Sequence, residues 1–128
     1  MSSPTADGLR VDAPLTTIIC AVWHGDPNRH QLLKGHGANL KKQTAPLKVI
    51  YVFDANDTPP ADLEGTVICA RESLTIYQAW NLALGLVSTP LVMNLNLDDR
   101  LAPDAVQTLQ DLMQQEKAIA AGGDWKIC

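Results

Sequence analysis

The sequence predicts an α/β fold with a mainly parallel sheet, built as a three-layer αβα sandwich, and three observations carry that expectation. Short apolar runs rich in β-branched and aromatic residues alternate with longer stretches of helical periodicity. The strand-like runs are apolar almost throughout, the mark of a sheet covered on both faces. Polar groups collect just after those runs, most visibly in LVMNLNLDDRLAP from Leu91 to Pro103. There an apolar run discharges into Asp98 and Asp99 before a proline starts a new helix.

Residues 1–14, MSSPTADGLRVDAP, form a polar arm, and one domain is expected over residues 15–128. Thr16 to Trp23 (TTIICAVW) and Leu47 to Phe53 (LKVIYVF) read as the first two strands. Between them Asn28 to Lys42 reads as a helix, started by Asp26 and Pro27 and weakened by Gly35 and Gly37. Thr66 to Ala70 (TVICA) is a third, shorter strand after a brief link. In the next helix Ile76, Trp80, Ala83, Leu84 and Val87 share one face, and Thr75 with Gln78 has the spacing of a capping box. It ends between Gly85 and Thr89, before Pro90. A fourth strand runs from Leu91 to Asn96. The third helix starts at Pro103, where the missing amide hydrogen costs nothing, and carries Val106, Leu109, Leu112 and Met113 on one stripe. Ala118 to Ala121 are expected to begin a fifth strand. The order is βαββαβαβ, with no internal repeat.

A chain of 128 residues that is 46% hydrophobic can bury one core without disulfides or a structural metal. A net charge of -4, a pI near 5.1 and dispersed Lys and Arg, with only Lys41 and Lys42 adjoining, exclude a binder of nucleic-acid backbones. No run reaches the roughly eighteen apolar residues of a membrane span, and the start lacks a signal peptide's apolar core, so a cytoplasmic location is expected. Three cysteines cannot all pair within the chain. Cys20 and Cys69, both in Ile-Cys-Ala contexts, read as small core residues, and Cys128 is terminal. His24, His30 and His36 share no helical face and read as surface residues. Gly35-His36-Gly37 is not a dinucleotide fingerprint, because no strand directly precedes it.

Ligands of open α/β sheets bind beyond the carboxyl ends of the strands. Those ends carry Trp23 and His24, then Asp54, Asn56 and Asp57, then Arg71, then Asp98 and Asp99. On one rim they combine a flat ring, an acid, a cation and a carboxylate pair, a set that suits an aromatic base, a ribose and a metal-bound diphosphate. Each also has a plain structural use. Asp54, Asn56 and Asp57 suit a polar turn, Asp98 and Asp99 a helix N-terminus, Trp23 a core, and Arg71 an ion pair with Glu72.

Several segments resemble the inverting glycosyltransferases of family 2. Gln43-Thr44-Ala45-Pro46 and Lys48 to Asp57 (KVIYVFDAND) are similar to that family's glutamine-threonine turn, second strand and base-contacting acid. Asn81, Gly85 and the run through Asp99 to Pro103 are similar to its asparagine-bearing helix, glycine, strand, DXD-like aspartate motif and helix-starting proline. The resemblance implies a Rossmann-like GT-A fold, truncated to the donor-binding half and lacking the acceptor-binding half. It implies binding of a nucleotide-diphosphate sugar, a UDP-sugar being favoured, with Mn or Mg. Val22 and Trp23 would flank the base, Asp54 would accept from its imide, and Arg71 would lie near the base or diphosphate. Asp98 would contact the ribose or metal, and Asp99 would bind the metal. Phe53 and Asn96 stand where relatives often carry further acids. No position matches the family's general base, so no catalytic residue is assigned.

Two other classes remain open. A phosphoacceptor receiver domain needs an acid pair after the first strand and a lone Asp after the third, where His24 and Arg71 stand. A noncatalytic binding or self-associating module, forming a homo-oligomer through an exposed sheet edge, fits a domain with half its cover missing.

Overall fold

The computed structural model describes residues 13–116. The expected start of a fifth strand at Ala118 and most of the N-terminal arm lie outside the described residues. Within them the order is β1 (Thr16–Val22), α1 (Arg29–Lys41), β2 (Leu47–Phe53), β3 (Thr66–Cys69), α2 (Ile76–Leu84), β4 (Leu91–Asn94) and α3 (Ala105–Glu116). The four strands form one sheet in the order β3-β2-β1-β4, and every pairing is parallel. The chain is thus α/β with an all-parallel sheet, compatible with a Rossmann-like fold.

Strand alternation divides the core. Ile18, Cys20, Val22, Tyr51 and Phe53 point to one face and pack with Leu33 and Leu40 of α1, Leu97 and Val106 of α3. Ile19, Ile50 and Val52 point to the other face, where Ala79 and Ala83 of α2 close on them. Small residues at 79 and 83 let that helix approach the sheet closely. The cover is uneven, with two helices on one face and α2 alone on the other.

Local signals account for the element ends. The Thr75 hydroxyl accepts from the Gln78 N–H at 3.1 Å, and the Gln78 side chain accepts from the Thr75 N–H at 2.9 Å, so the capping box starts α2. Gly65 enters β3 at φ 116°, a backbone state that suits glycine, and its Cα lies against Val49. The link from β2 to β3 contains no helix. As a result the first face is bare beside α1, leaving an open trough of about 820 Å³ over Val49, Tyr51 and Leu63.

Two sequence expectations need correction. Cys69 is exposed, because β3 is an edge strand and its last residue escapes the cover that Cys20 has on central β1. His36 is not a surface residue but fully buried. Its Nε2 faces the Leu95 carbonyl at 3.2 Å, and its Nδ1 faces the Tyr51 hydroxyl at 2.8 Å. A carbonyl only accepts, so Nε2 carries the proton and Nδ1 accepts from Tyr51. Among the described residues, no helix is long and apolar enough to cross a membrane.

Burial pulls the His36 pKa below its ordinary value of 6.5, so the unfolded chain takes up the proton first. Its contribution to stability is present above pH 6.5 and is lost as pH falls below that value. Urea midpoints measured between pH 7.5 and 5.5 should fall in the wild type, with a flatter dependence in His36→Ala. At pH 7.5 that variant should be less stable by about 3 kcal/mol, from the cavity and two orphaned polar groups.

Candidate functional site

The carboxyl ends of all four strands lie on one rim, because the sheet is wholly parallel. β2 and β3 run to one side of β1, whereas β4 pairs on its other side, so the strand order reverses between β1 and β4. Crevices at such reversals are where open α/β sheets bind ligands. The exit of β1 stands on one side of this reversal, and residues 95–101 follow β4 on the other.

Asp54 is the organising residue. It follows β2, is 3% exposed, and accepts three hydrogen bonds from the chain. Oδ1 takes the His24 backbone N–H and lies 3.0 Å from His24 Nδ1, while Oδ2 takes the Leu74 N–H at 3.0 Å. Burial alone would raise the Asp54 pKa, but the Leu74 N–H and the His24 contacts outweigh it and hold the carboxyl below the usual range. One carboxylate therefore binds the exit of β1 to the entrance of α2.

The turn after Asp54 is strained and well anchored. Ala55 and Asn56 adopt φ of 51° and 59°, and the Asp57 N–H closes on the Asp54 carbonyl at 3.0 Å, the pattern of a type I′ turn. The Ala55 and Asn56 N–H groups donate to the carbonyls of Glu72 and Ala70, which lock the turn to the segment after β3. Arg29 at the head of α1 grips Asp57 through both carboxylate oxygens, at 2.7 and 3.1 Å. That guanidinium holds the Asp57 carboxyl below its usual range.

Trp23 leaves the end of β1 with its indole 59% exposed. It lies edge-on to the His24 ring, with centroids 5.8 Å apart, and Gly25 sits so close that a Cβ there would enter the indole. Behind Trp23 is a hollow of about 170 Å³ lined by Val52, Asp54, Leu74, Thr75, Ile76 and Ala79, among others. Val22 also borders it, but its side chain is buried with Cys20 and Phe53, so only its backbone faces a ligand. The larger trough beside α1 lies toward the other ends of the strands, away from these groups.

Asp98 and Asp99, in the loop after β4, are exposed. Their loop is held from α1. Asn39 exchanges two hydrogen bonds with the Leu101 backbone, at 2.9 and 2.8 Å, and Gln43 joins the Ala102 carbonyl to the Val106 N–H. The Arg100 guanidinium donates to the carbonyls of Leu97, Asp99 and Leu32. Among the described residues no group of three or more His, Cys, Asp or Glu is gathered to hold a metal. The oxygen donors of Asp98 and Asp99 are the type a hard divalent ion takes, yet two residues fill only part of its shell, and phosphate and water would supply the rest.

The rim thus brings Trp23, Asp54 and the Asp98–Asp99 loop to adjacent strand ends. Arg71 is exposed on the far edge, after β3, three strand positions from β4 and beside the Asp54 turn. It can serve the base end of a ligand but stands apart from the aspartate pair. Asn39 and Arg100 were not legible as site residues from sequence, and His24 and Gln43 stood out there only by position, without the partners that give them a role. The alternation of β1 was a signal for Val22, which has the parity of buried Ile18 and Cys20.

Ala55 is the strained position without a glycine's freedom. Ala55→Gly should raise the unfolding free energy by about 0.5–1 kcal/mol in chemical denaturation, as the left-handed penalty exceeds glycine's entropic cost.

Comparison with known proteins yields no relative: no family model matches the chain, and no curated protein matches it.

Proposed function

We propose that the chain holds a nucleotide-diphosphate sugar in the manner of the donor-binding half of family 2 glycosyltransferases, in a GT-A form of the Rossmann-like fold. The observation that carries the reading is the strand reversal between β1 and β4, with an exposed indole just after β1 and two exposed carboxylates just after β4. In this reading Trp23 stacks on the base, Asp54 organises the base end, and the Val22 backbone and Arg71 flank it. Asp98 meets the ribose or the metal. Asp98 and Asp99 are the residues that would hold Mn or Mg, whose chemistry there is to offset the charge of the departing nucleoside diphosphate. Arg100, whose guanidinium is spent on three carbonyls, fixes the loop that carries the pair. Transfer to an acceptor needs a general base, and none is assigned within this chain.

The reading makes metal and nucleotide interdependent, because neither the two carboxylates nor the diphosphate alone completes the ion's shell. Mn titrated by calorimetry should bind weakly to the protein alone and about tenfold more tightly in the presence of uridine diphosphate. Asp99→Ala should abolish that gain. Equal Mn affinity with and without uridine, guanosine, cytidine and thymidine diphosphates would overturn the reading.

A second reading, a noncatalytic self-associating module, is favoured by one specific observation. From Ser73 to Leu97 no residue is charged or a histidine, and this stretch exposes Ile76, Tyr77, Leu82, Leu84, Leu86 and Val92. It also includes β4, which among the described residues is a sheet edge. Size exclusion with light scattering separates the two. A stable dimer with no nucleotide affinity favours the module, and a nucleotide-binding monomer favours the donor site.

A further inference from the structure

The carboxylate that was to read the base is already occupied. Asp54 Oδ1 serves two groups of His24, and Oδ2 serves the Leu74 N–H, all at 3.0 Å and nearly out of solvent. The same bonds determine what the neighbouring imidazole offers. An ionised carboxylate only accepts, so the proton in the 3.0 Å contact belongs to His24 Nδ1. In the neutral ring Nε2 is then left with a free lone pair. The His24 side chain is 38% exposed, so the ring is accessible as well as oriented. It stands edge-on to the exposed indole of Trp23, with the two planes at 65°. An aromatic face and a fixed acceptor thus lie side by side at the exit of β1.

Resting on the nucleotide-sugar reading, we infer that His24 rather than Asp54 makes the hydrogen bond to the base, and that it selects bases bearing a ring N–H beside a carbonyl. Uracil, thymine and guanine present such an N–H and satisfy the Nε2 lone pair. Cytosine and adenine present a bare ring nitrogen at the equivalent edge, which sets one lone pair against another. Stacking on Trp23 is indifferent to that distinction, since every base has a π face. Affinity and selection therefore fall to different residues, Trp23 supplying the first and His24 the second. Asp54 is a positioning residue, acting through the imidazole it holds.

The test is calorimetric titration at pH 8 with uridine, guanosine, cytidine and adenosine diphosphates in the presence of Mg. The wild type should prefer the uridine and guanosine compounds by about tenfold, the scale of one hydrogen bond made against one refused. His24→Ala keeps the backbone N–H that Asp54 binds, so its fold is retained, which a thermal melt checks. In it the preference should shrink to about twofold, because uridine and guanosine diphosphates lose a hydrogen bond and cytidine diphosphate is relieved of the opposed lone pair. His24→Gln, whose amide can donate or accept, should lose the preference too. A preference that survives in both variants, or nucleotide binding without any preference in the wild type, overturns the role of His24 and leaves the donor site standing. No binding of any nucleotide by the folded wild type overturns the donor site itself.

Discussion

The buried carboxylate of Asp54 is the constraint on which the candidate site depends. Removing a charge from water costs several kcal/mol, and the three donors that meet it, each worth about 1.5–3 kcal/mol as bonds to a charged group, offset that cost. Those donors come from the two segments that frame the hollow behind Trp23, the exit of β1 and the entrance of α2. A neutral side chain of similar size would leave the N–H groups of His24 and Leu74 competing for weaker acceptors. The strained turn at Ala55 follows from the same demand. The chain must turn at once after Asp54, and the carbonyls of Ala70 and Glu72 hold it there.

The loop after β4 is built on another principle. It carries exposed charges, and its apolar anchorage is Leu95, Leu97 and the partly buried Leu101. Order comes also from neutral polar groups of α1 and the turn after it: His36 on the Leu95 carbonyl, Asn39 on Leu101, and Gln43, just past the helix end, on Ala102 and Val106. His36 and Asn39 lie three positions apart on α1, so with Gln43 they serve as a polar rail against the segment from 95 to 106. Apart from His36, whose surroundings keep it neutral, the rail adds no titratable group. Asp98 and Asp99 face solvent, and the rail sets no cation against them.

Elements governed by local rules were legible in the sequence. β2 spans the same residues, Leu47–Phe53, in expectation and structure, since its apolar run is bounded by proline and by polar turn residues. The capping box at Thr75 and Gln78 is likewise a three-residue signal. What stayed hidden depends on partners distant in sequence. His36 looks like a surface residue until Tyr51 and Leu95 are brought to it, and nothing near His24 announces Asp54 thirty positions later. The exposure of Cys69 required knowing that β3 takes an edge. Strand order is a tertiary fact, and the apolar run TVICA is equally compatible with a central position. The rim residues were legible as a set because the carboxyl ends of parallel strands share one side whatever their order, and order alone decides that Arg71 and Asp99 stand apart.

The two functional readings use different surfaces, yet the structure couples them. Among the described residues α2 is the only helix on its face of the sheet, and it meets that face through two alanines, with Trp80 partly buried beside them, while Ile76, Tyr77, Leu82 and Leu84 face outward. The N–H just before its capping residue is held by Asp54, and Thr75, Ile76 and Ala79 line the hollow behind Trp23. A body that docks on the outward side of α2 therefore presses on a helix whose first turn is a wall of the hollow behind Trp23. Where Ala79 and Ala83 pack on the sheet, a shift of that helix is passed to the strands it covers. Association and ligand binding would then share one mechanical element, and Asp54, with a bond to each side of the pocket, is the residue through which either would be felt by the other.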